Sequence, residues 1–385
     1  MIEEILNKKL TRREFLKRTF CLYFFGNLFF DFLNRFNLNV FAQDIDNFYL
    51  YEARFYKKID NKTVQCQLCP RGCTLTNGQR SFCRAREPKD GKLYSLVYNK
   101  PCAIHIDPIE KKPLFHFLPA TTAFSIATSG CNFRCKFCQN WQISQFPPEE
   151  VYNYTFSCND IVDLAIKNNS TTIAYTYTEP SIFYEYMFDT AKIAKEKGIR
   201  NIYHSNGSLK QKPLEELCKY LDAANIDLKA FNQKFYNDIC AGYLDVVLET
   251  LKILKKNNVW LEITNLVIPT LNDNIDEIKS MCNWIVENLG KDVPIHFSRF
   301  WPQYKLTNLA PTPVETLERA RAIALSCGLE YVYIGNVPGH SAENTYCPKC
   351  KKILIRRIGF SVLEKNITDR GNCKFCGYDI SGVWI

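Results

Sequence analysis

The stretch "TTAFSIATSGCNFRCKFCQ", Thr121 to Gln139, begins as an apolar, β-branched run and ends in a loop carrying Cys131, Cys135 and Cys138 at the spacing C-x3-C-x2-C. A tetrahedral zinc ion normally closes with four side chains, whereas a four-iron cluster held by three thiolates leaves one iron free to bind something else. Three cysteines on one tight loop directly after a strand therefore point to an open iron site.

Outward from this stretch the pattern repeats. Apolar runs end in polar residues and are followed by ten or more residues of helical periodicity: "TTIAYTYT" from Thr171, "RNIYHSN" from Arg200, "ANIDLKA" from Ala224, "WLEITNLVI" from Trp260 and "PIHFSRF" from Pro294. "YVYIGN" from Tyr331, after the helical "PVETLERARAIALSCG", is a candidate seventh strand. Strands alternating with helices argue an α/β fold with a parallel sheet. Six to seven units are too few for a closed eightfold barrel, so the expectation is a partial, open (β/α)6 barrel of the TIM type with its site at the C-terminal strand ends. Those ends carry Ser129, Glu179, Ser205 and Asn206, Asp227 and Lys229, Thr264 and Asn265, and Ser298 and Arg299. The reading divides the chain into residues 1–43 (leader or amphipathic segment), 44–120 (Cys-rich module), 121–340 (barrel core) and 341–385 (terminal four-cysteine module).

The 385 residues are 46% hydrophobic and 23% charged, which suits a globular chain with one large core or two modest ones. Lys and Arg outnumber Asp and Glu 49 to 40, a formal net charge of +9, but they are spread through segments such as "KIAKEKGIR" and "KILKKNNVW" that read as solvated helix faces, so there is no focused nucleic-acid patch. No C-x-x-C-H and no G-x-x-x-x-G-K-[ST] occurs, so covalent haem and a P-loop are unsupported.

Of the 18 cysteines, eleven fall into three clusters with metal-ligand spacing, which favours metal thiolates in a reducing environment over disulfides. Cys347, Cys350, Cys373 and Cys376 form two C-x2-C pairs, the signature of a four-thiolate site, with structural zinc as the first reading and a rubredoxin-like iron as the second. Cys66, Cys69, Cys73 and Cys83 in "CQLCPRGCTLTNGQRSFCRAR" are irregularly spaced and suit either zinc or an auxiliary iron-sulfur cluster. Cys21, Cys102, Cys158, Cys218, Cys240, Cys282 and Cys327 are scattered among apolar neighbours and read as small buried hydrophobes. At the N-terminus, "TRREFLKRT" before "FCLYFFGNLFF", with "VFAQ" near position 42, reads either as a twin-arginine export signal or as a membrane-surface amphipathic helix. Asp31 and Arg35 interrupt the apolar run, which is too short to span a bilayer.

The C-x3-C-x2-C loop, with the aromatic Phe137 before its last cysteine and a strand before it, resembles the radical S-adenosylmethionine (SAM) superfamily over roughly residues 121–340. That resemblance implies a [4Fe-4S] cluster on Cys131, Cys135 and Cys138. SAM would be chelated at the free iron and cleaved to a 5′-deoxyadenosyl radical after one electron arrives from a low-potential donor of the flavodoxin or ferredoxin type. It implies cofactor contacts by Phe137, by Glu179 in "YTEP", by Ser205 and Asn206 in "SNG", and by Asp227 and Lys229 in "DLK". Tyr177 and Thr178 stand where the superfamily usually has glycines before the Glu, so only the Glu role carries over.

More closely, "CQLCPRGC", "CNFRCKFCQNWQIS", "AYTYTEP", "IDLKAFN", "TNLVIPTLND", "HFSRFWPQYKL" and "YVYIGNVPGH", with the terminal cysteine pairs, resemble the radical enzyme of the AmmeMemoRadiSam group. That resemblance implies Memo-like and AMMECR1-like partner proteins and leaves the substrate open. Ser81 in "GQRSFC" replaces an expected glycine, a change read as barely touching the ligand set. The leader is a larger departure, because SAM and low-potential reductants belong to the cytoplasm.

The leading function is therefore a radical enzyme abstracting hydrogen from an unidentified substrate. A glycyl-radical-enzyme activase is the second reading and an iron-sulfur electron-transfer or scaffold protein the third; Glu179, Asp227 and Lys229 argue against the third, since an electron carrier needs no cofactor-binding strand ends. Of the histidines, His105, His116, His204, His296 and His340, only His204 and His340 fall near the expected mouth, and neither is assigned a catalytic role. Trp141 and Tyr304 follow mouth-facing segments and are candidates for the cavity lining.

Overall fold

The computed structural model describes residues 50–385. The leader reading and Cys21 lie outside the described residues. From Tyr51 to Ile385 the chain forms one compact unit.

Its centre is one eight-stranded sheet. In chain order the strands are β1 (Ala103–Pro108), β2 (Thr122–Ala127), β3 (Thr172–Tyr175), β4 (Arg200–Ser205), β5 (Ala223–Asp227), β6 (Trp260–Val267), β7 (Ile295–Arg299) and β8 (Val332–Gly335), and each pairs with its sequence neighbours. β2 to β8 are parallel, so all seven expected strands form. β1 is antiparallel to β2, with Ala103 opposite Ala127 and Pro108 opposite Thr122. The expectation had left residues 103–120 with the Cys-rich module; β1 instead extends the barrel sheet. Six crossover helices cover the outer face: α1 (Cys158–Lys167), α2 (Tyr184–Glu196), α3 (Gln211–Cys218), α4 (Leu244–Lys256), α5 (Ile275–Leu289) and α6 (Val314–Ser326). The parallel strands are buried on both faces, as in "TIAY" of β3, which explains their near-continuous apolar sequence.

Local chemistry fixes the helix starts. Ser157 and Asp160 form a capping box at α1, and the Asn274 side chain accepts from the backbone N–H groups of Asp276 and Glu277 at α5. The sheet stays open between β8 and β1. Residues 109–118 close the lower end, with Ile109, Leu114, Phe117 and Leu118 packing on Ala123, Ala174, Ile202 and Ala223 at the starts of the strands.

The two flanking modules pack on this frame. Small antiparallel sheets built from Tyr56–Lys58, Thr63–Cys66 and Thr74–Thr76, and from Tyr51–Glu52, Lys92–Ser95 and Arg86–Lys89, share the barrel's main core. A fully buried ion pair, Arg86 Nη2 to Glu185 Oε2 at 2.7 Å, ties them to α2. At the other end the hairpin Ile353–Ile358 and Ser361–Lys365 packs Leu354 and Ile355, with Ile367 and Trp384, on Phe115, Tyr331 and Tyr333 beneath the barrel. Among the described residues no helix is long and apolar enough to cross a membrane.

Candidate active site

The strand ends open into a cavity of about 460 Å³. Its lining includes Cys131, Cys135 and Cys138 with Phe137, Glu179, Ser205, Asn206, Asp227 and Lys229, so the three expected cluster ligands and all six expected cofactor contacts meet in one place. Thr264 and Ser298 also line it. Asn265 and Arg299 do not: Asn265 donates to the Leu228 carbonyl at 2.7 Å, and Arg299 donates to the Thr312 carbonyl at 2.8 Å. Both act as braces between strand ends and neighbouring loops.

The cysteine loop follows β2 and is held by backbone contacts that do not involve the sulfurs. Arg134 N–H donates to the Cys240 carbonyl at 2.7 Å and Lys136 N–H to the Ile239 carbonyl at 3.0 Å, so the π-helical turn Tyr236–Cys240 clasps it. Three groups already address the sulfurs: Phe133 N–H lies 3.3 Å from Cys131 Sγ, Asn206 Nδ2 3.9 Å from Cys131 Sγ, and Ser144 Oγ 3.1 Å from Cys138 Sγ. Burial, reinforced by the Glu179 charge, pushes the Cys131 thiol well up, and burial raises Cys138 against the pull of Ser144. A hydrogen bond with Cys240, then burial, raises Cys135. Thiolates at these positions therefore call for the positive charge of a bound metal, with loss of their protons on binding. Cys240 is buried as expected, and it also packs against a cluster-loop sulfur.

Glu179 caps the short helix Pro180–Phe183 and is 2% exposed. Its Oε1 accepts from Ser181 N–H at 3.0 Å, from the Ser181 hydroxyl and from Ser205 Oγ at 2.8 Å, while Oε2 accepts from Asn206 N–H at 2.8 Å. Burial raises this carboxyl, against the pull of those donors. Oε2 keeps acceptor capacity toward the cavity, where one more donor, such as an ammonium, completes its shell.

Opposite, Lys229 Nζ pairs with Asp227 Oδ2 at 2.9 Å, and His204 Nε2 stands 3.7 Å from Asp227 Oδ1. Burial alone would raise Asp227, but the Lys229 charge and His204 hold it well below the carboxylate range. Burial works to lower Lys229 and is outweighed by Asp227, so this ammonium stays charged. The wall thus offers a fixed carboxylate, a fixed cation and hydroxyl acceptors.

Sequence reasoning missed the floor. Lys111, Lys112 and Pro113 rise between β1 and β2 to line the cavity, with Tyr177 beside them. Lys112 Nζ lies 2.6 Å from Asp107 Oδ2 and 4.4 Å from the centre of the Tyr177 ring, and the Tyr177 hydroxyl donates to the same carboxylate. Tyr177 is left-handed, with φ of 61°, at the position where a glycine was expected. The strand end keeps a glycine-like backbone, and its aromatic side chain is held there by Asp107 and Lys112. The paired lysines in "IDPIEKKPLF", between an edge strand and a strand start, were the signal available.

Three expectations are corrected. His340 is away from the cavity lining, capping Ser341–Glu343 and standing 3.2 Å from Glu318, whereas His204 does line the cavity. Trp141 and Tyr304 stack on each other at 5.3 Å rather than lining it. Ser81 does touch the ligand set, its hydroxyl lying 3.2 Å from Cys83 Sγ and accepting from Arg86 N–H.

In the terminal module, the four sulfurs of Cys347, Cys350, Cys373 and Cys376 lie within 4.8 Å of one another and could hold a metal ion. Cys347 to Cys376 is 3.6 Å and Cys350 to Cys373 3.8 Å, close to the roughly 3.8 Å that four bonds of about 2.3 Å to one tetrahedral ion require.

The radical SAM superfamily profile matches residues 125–285, which hold the cysteine loop, Glu179 and the Asp227–Lys229 pair. This chain belongs to the radical SAM superfamily. An uncharacterized protein of Methanocaldococcus jannaschii is 50% identical over 333 residues, covering 86% of this chain and 99% of that protein. A putative glycyl-radical enzyme activating enzyme of the same organism is 25% identical, over 63% of this chain and 89% of its own length. The pyruvate formate-lyase-activating enzyme of Clostridium pasteurianum is 24% identical, over 42% and 67%. As a radical SAM protein the chain is an enzyme using a [4Fe-4S] cluster and SAM, on a substrate not yet identified.

Proposed function

We propose that Cys131, Cys135 and Cys138 hold the cluster and that SAM occupies the cavity beneath it, where its radical takes hydrogen from a substrate resting on the Lys112–Tyr177 floor. The observation that carries this is the convergence of three sulfurs, a buried carboxylate and a buried ammonium on one cavity of about 460 Å³. The bound group supplies one electron to the S–C5′ bond. The chain's residues bind and orient: Glu179 Oε2 accepts from the methionine ammonium, Lys229 faces the methionine carboxylate, Ser205 and Asn206 address the ribose, and Phe137 packs beside them.

The Cys347 set is proposed as a structural zinc site. The motif set beyond the profile, from "CQLCPRGC" to "GNVPGH", supports placement in the AmmeMemoRadiSam group, with Memo-like and AMMECR1-like partners. A low-potential protein donor supplies the electron, which fits a reducing working compartment. Relatives named as activating enzymes favour a second reading, hydrogen abstraction from a glycine in a partner's loop.

The test is anaerobic reconstitution, reduction with dithionite and measurement of 5′-deoxyadenosine beside a Cys135→Ala control. Formation with the intact loop alone is expected; a cluster that assembles, ignores SAM and releases no 5′-deoxyadenosine overturns the proposal.

A further inference from the structure

Behind the cysteine loop, Cys66, Cys69, Cys73 and Cys83 line a second, smaller pocket with Arg86 and Asn132. Cys66 and Cys83 are buried, while Cys69 and Cys73 are partly exposed, so the pocket reaches from the surface inward. It shares a wall with the active site. Asn132, next to Cys131, lines it, and Asn206 on the active-site side donates to Asn132 Oδ1 at 2.8 Å. Arg71, between Cys69 and Cys73, donates from Nε to the Asn132 carbonyl at 2.7 Å, and Arg134 of the cluster loop donates to the Phe82 carbonyl beside Cys83. Gly130, with φ of +98°, sits so close that an added Cβ would lie 2.4 Å from the Cys83 carbonyl oxygen. The two cysteine sets are therefore tied together by arginine and asparagine side chains and by the close approach of Gly130 to Cys83.

Arg86 marks what the pocket takes. It is 1% exposed; Nη2 is spent on Glu185, and Nε and Nη1 are buried without a partner. Buried unpaired guanidinium N–H groups are costly unless an acceptor is present, and sulfurs of an anionic cluster are such acceptors. Sulfur spacing separates the candidate metals. Among the described residues, the Cys347 set is the one group of three or more metal-ligating side chains gathered within 4.8 Å; the Cys66 set, like Cys131, Cys135 and Cys138, is not gathered to that single-ion separation. A cluster spreads its thiolates, because each bonds a different iron.

We propose that Cys66, Cys69, Cys73 and Cys83 hold a second, fully ligated iron-sulfur cluster that serves as the electron port of the enzyme. One electron from a flavodoxin- or ferredoxin-class donor reduces this cluster at the surface side, and the same electron then passes across the Asn132 wall to the cluster on Cys131, Cys135 and Cys138, reoxidising the first. The electron-port role rests on the proposed function above; the cluster itself does not.

The test uses the full chain, reconstituted anaerobically with iron and sulfide. About eight irons per chain are expected, two clusters of four, with two reduced paramagnetic signals, of which SAM perturbs one. In the Cys131→Ala/Cys135→Ala/Cys138→Ala variant about four irons and the SAM-insensitive signal remain. Rapid mixing of the unmutated enzyme with reduced flavodoxin, followed by freeze-quenching, should show the SAM-insensitive signal rising first. One zinc per chain is expected at the Cys347 set; a second zinc, with only about four irons, overturns the cluster, and the SAM-sensitive signal rising first overturns the port. Two clusters of which neither responds to SAM would instead count against the active-site reading.

Discussion

Lys112 shows how one side chain reports its surroundings. Burial lowers its ammonium to about 8 from an ordinary 10.5, against the opposing pull of Asp107. A lysine depressed in the fold binds fewer protons there than in the unfolded chain between pH 8 and 10.5, so this residue makes stability rise with pH through that window. A shift of this size corresponds to about 3 kcal/mol. Urea unfolding of the wild type and Lys112→Met at pH 8 and pH 10 should show a shallower rise in the variant; parallel slopes would show that Lys112 is not depressed. Legibility also varied residue by residue. Cys131, Glu179, Asp227 and Lys229, which line the cavity, were legible as candidates by residue type at or just past the ends of recognisable strands. Lys112 and Tyr177 do not, because their role depends on Asp107 of an edge strand meeting a residue 70 positions later.

At the scale of elements, strand, loop and module meet at Gly130. Only a residue without Cβ tolerates both its positive φ and the approach of Cys83. Gly130→Ala should cost about 2 kcal/mol or more, combining the strained backbone with a backbone clash. Thermal melting should fall and iron incorporation with it; a variant with wild-type melting and iron content would show that the contact is dispensable. The seven parallel strands were legible because each is a short β-branched run closed by polar residues. β1 escaped notice: in "AIHIDP" the polar His105 and Asp107 face Tyr177 while the apolar Ile106 is exposed, so its place in the sheet comes from pairing with β2, not from its own pattern.

At the scale of the whole molecule, the terminal module and the barrel are joined by a buried polar network under the strands. His116 Nδ1 donates to the Ser381 carbonyl at 2.7 Å, and Nε2 accepts from Tyr333, which leaves the ring neutral. Glu262 accepts from Phe115 and His116 N–H and pairs with His296 at 2.7 Å. Burial lowers His116 to about 4 from an ordinary 6.5, despite the nearby Glu262. Between those values the unfolded chain binds a proton that the fold refuses, so the stability that neutral His116 contributes is complete above pH 6.5 and drains as pH falls toward 4, by about 3 kcal/mol. Melting of the wild type between pH 7.5 and 5 should therefore drop more steeply than that of His116→Asn, with amide exchange rising first in residues 353–384. Equal slopes would remove His116 as the cause.

The sequence by itself determined the alternation of strands and helices, the C-x3-C-x2-C loop after the first parallel strand and the two terminal C-x2-C pairs, because periodicity and cysteine spacing are local properties that survive in one dimension. Only the tertiary structure decided that residues 103–120 form the barrel's edge and floor, that Tyr177 keeps a left-handed strand end over Asp107 and Lys112, and that the Cys66 pocket shares a wall with the active site. Those features arise from residues far apart in the chain whose burial and charge acquire meaning only when the sheet brings them together.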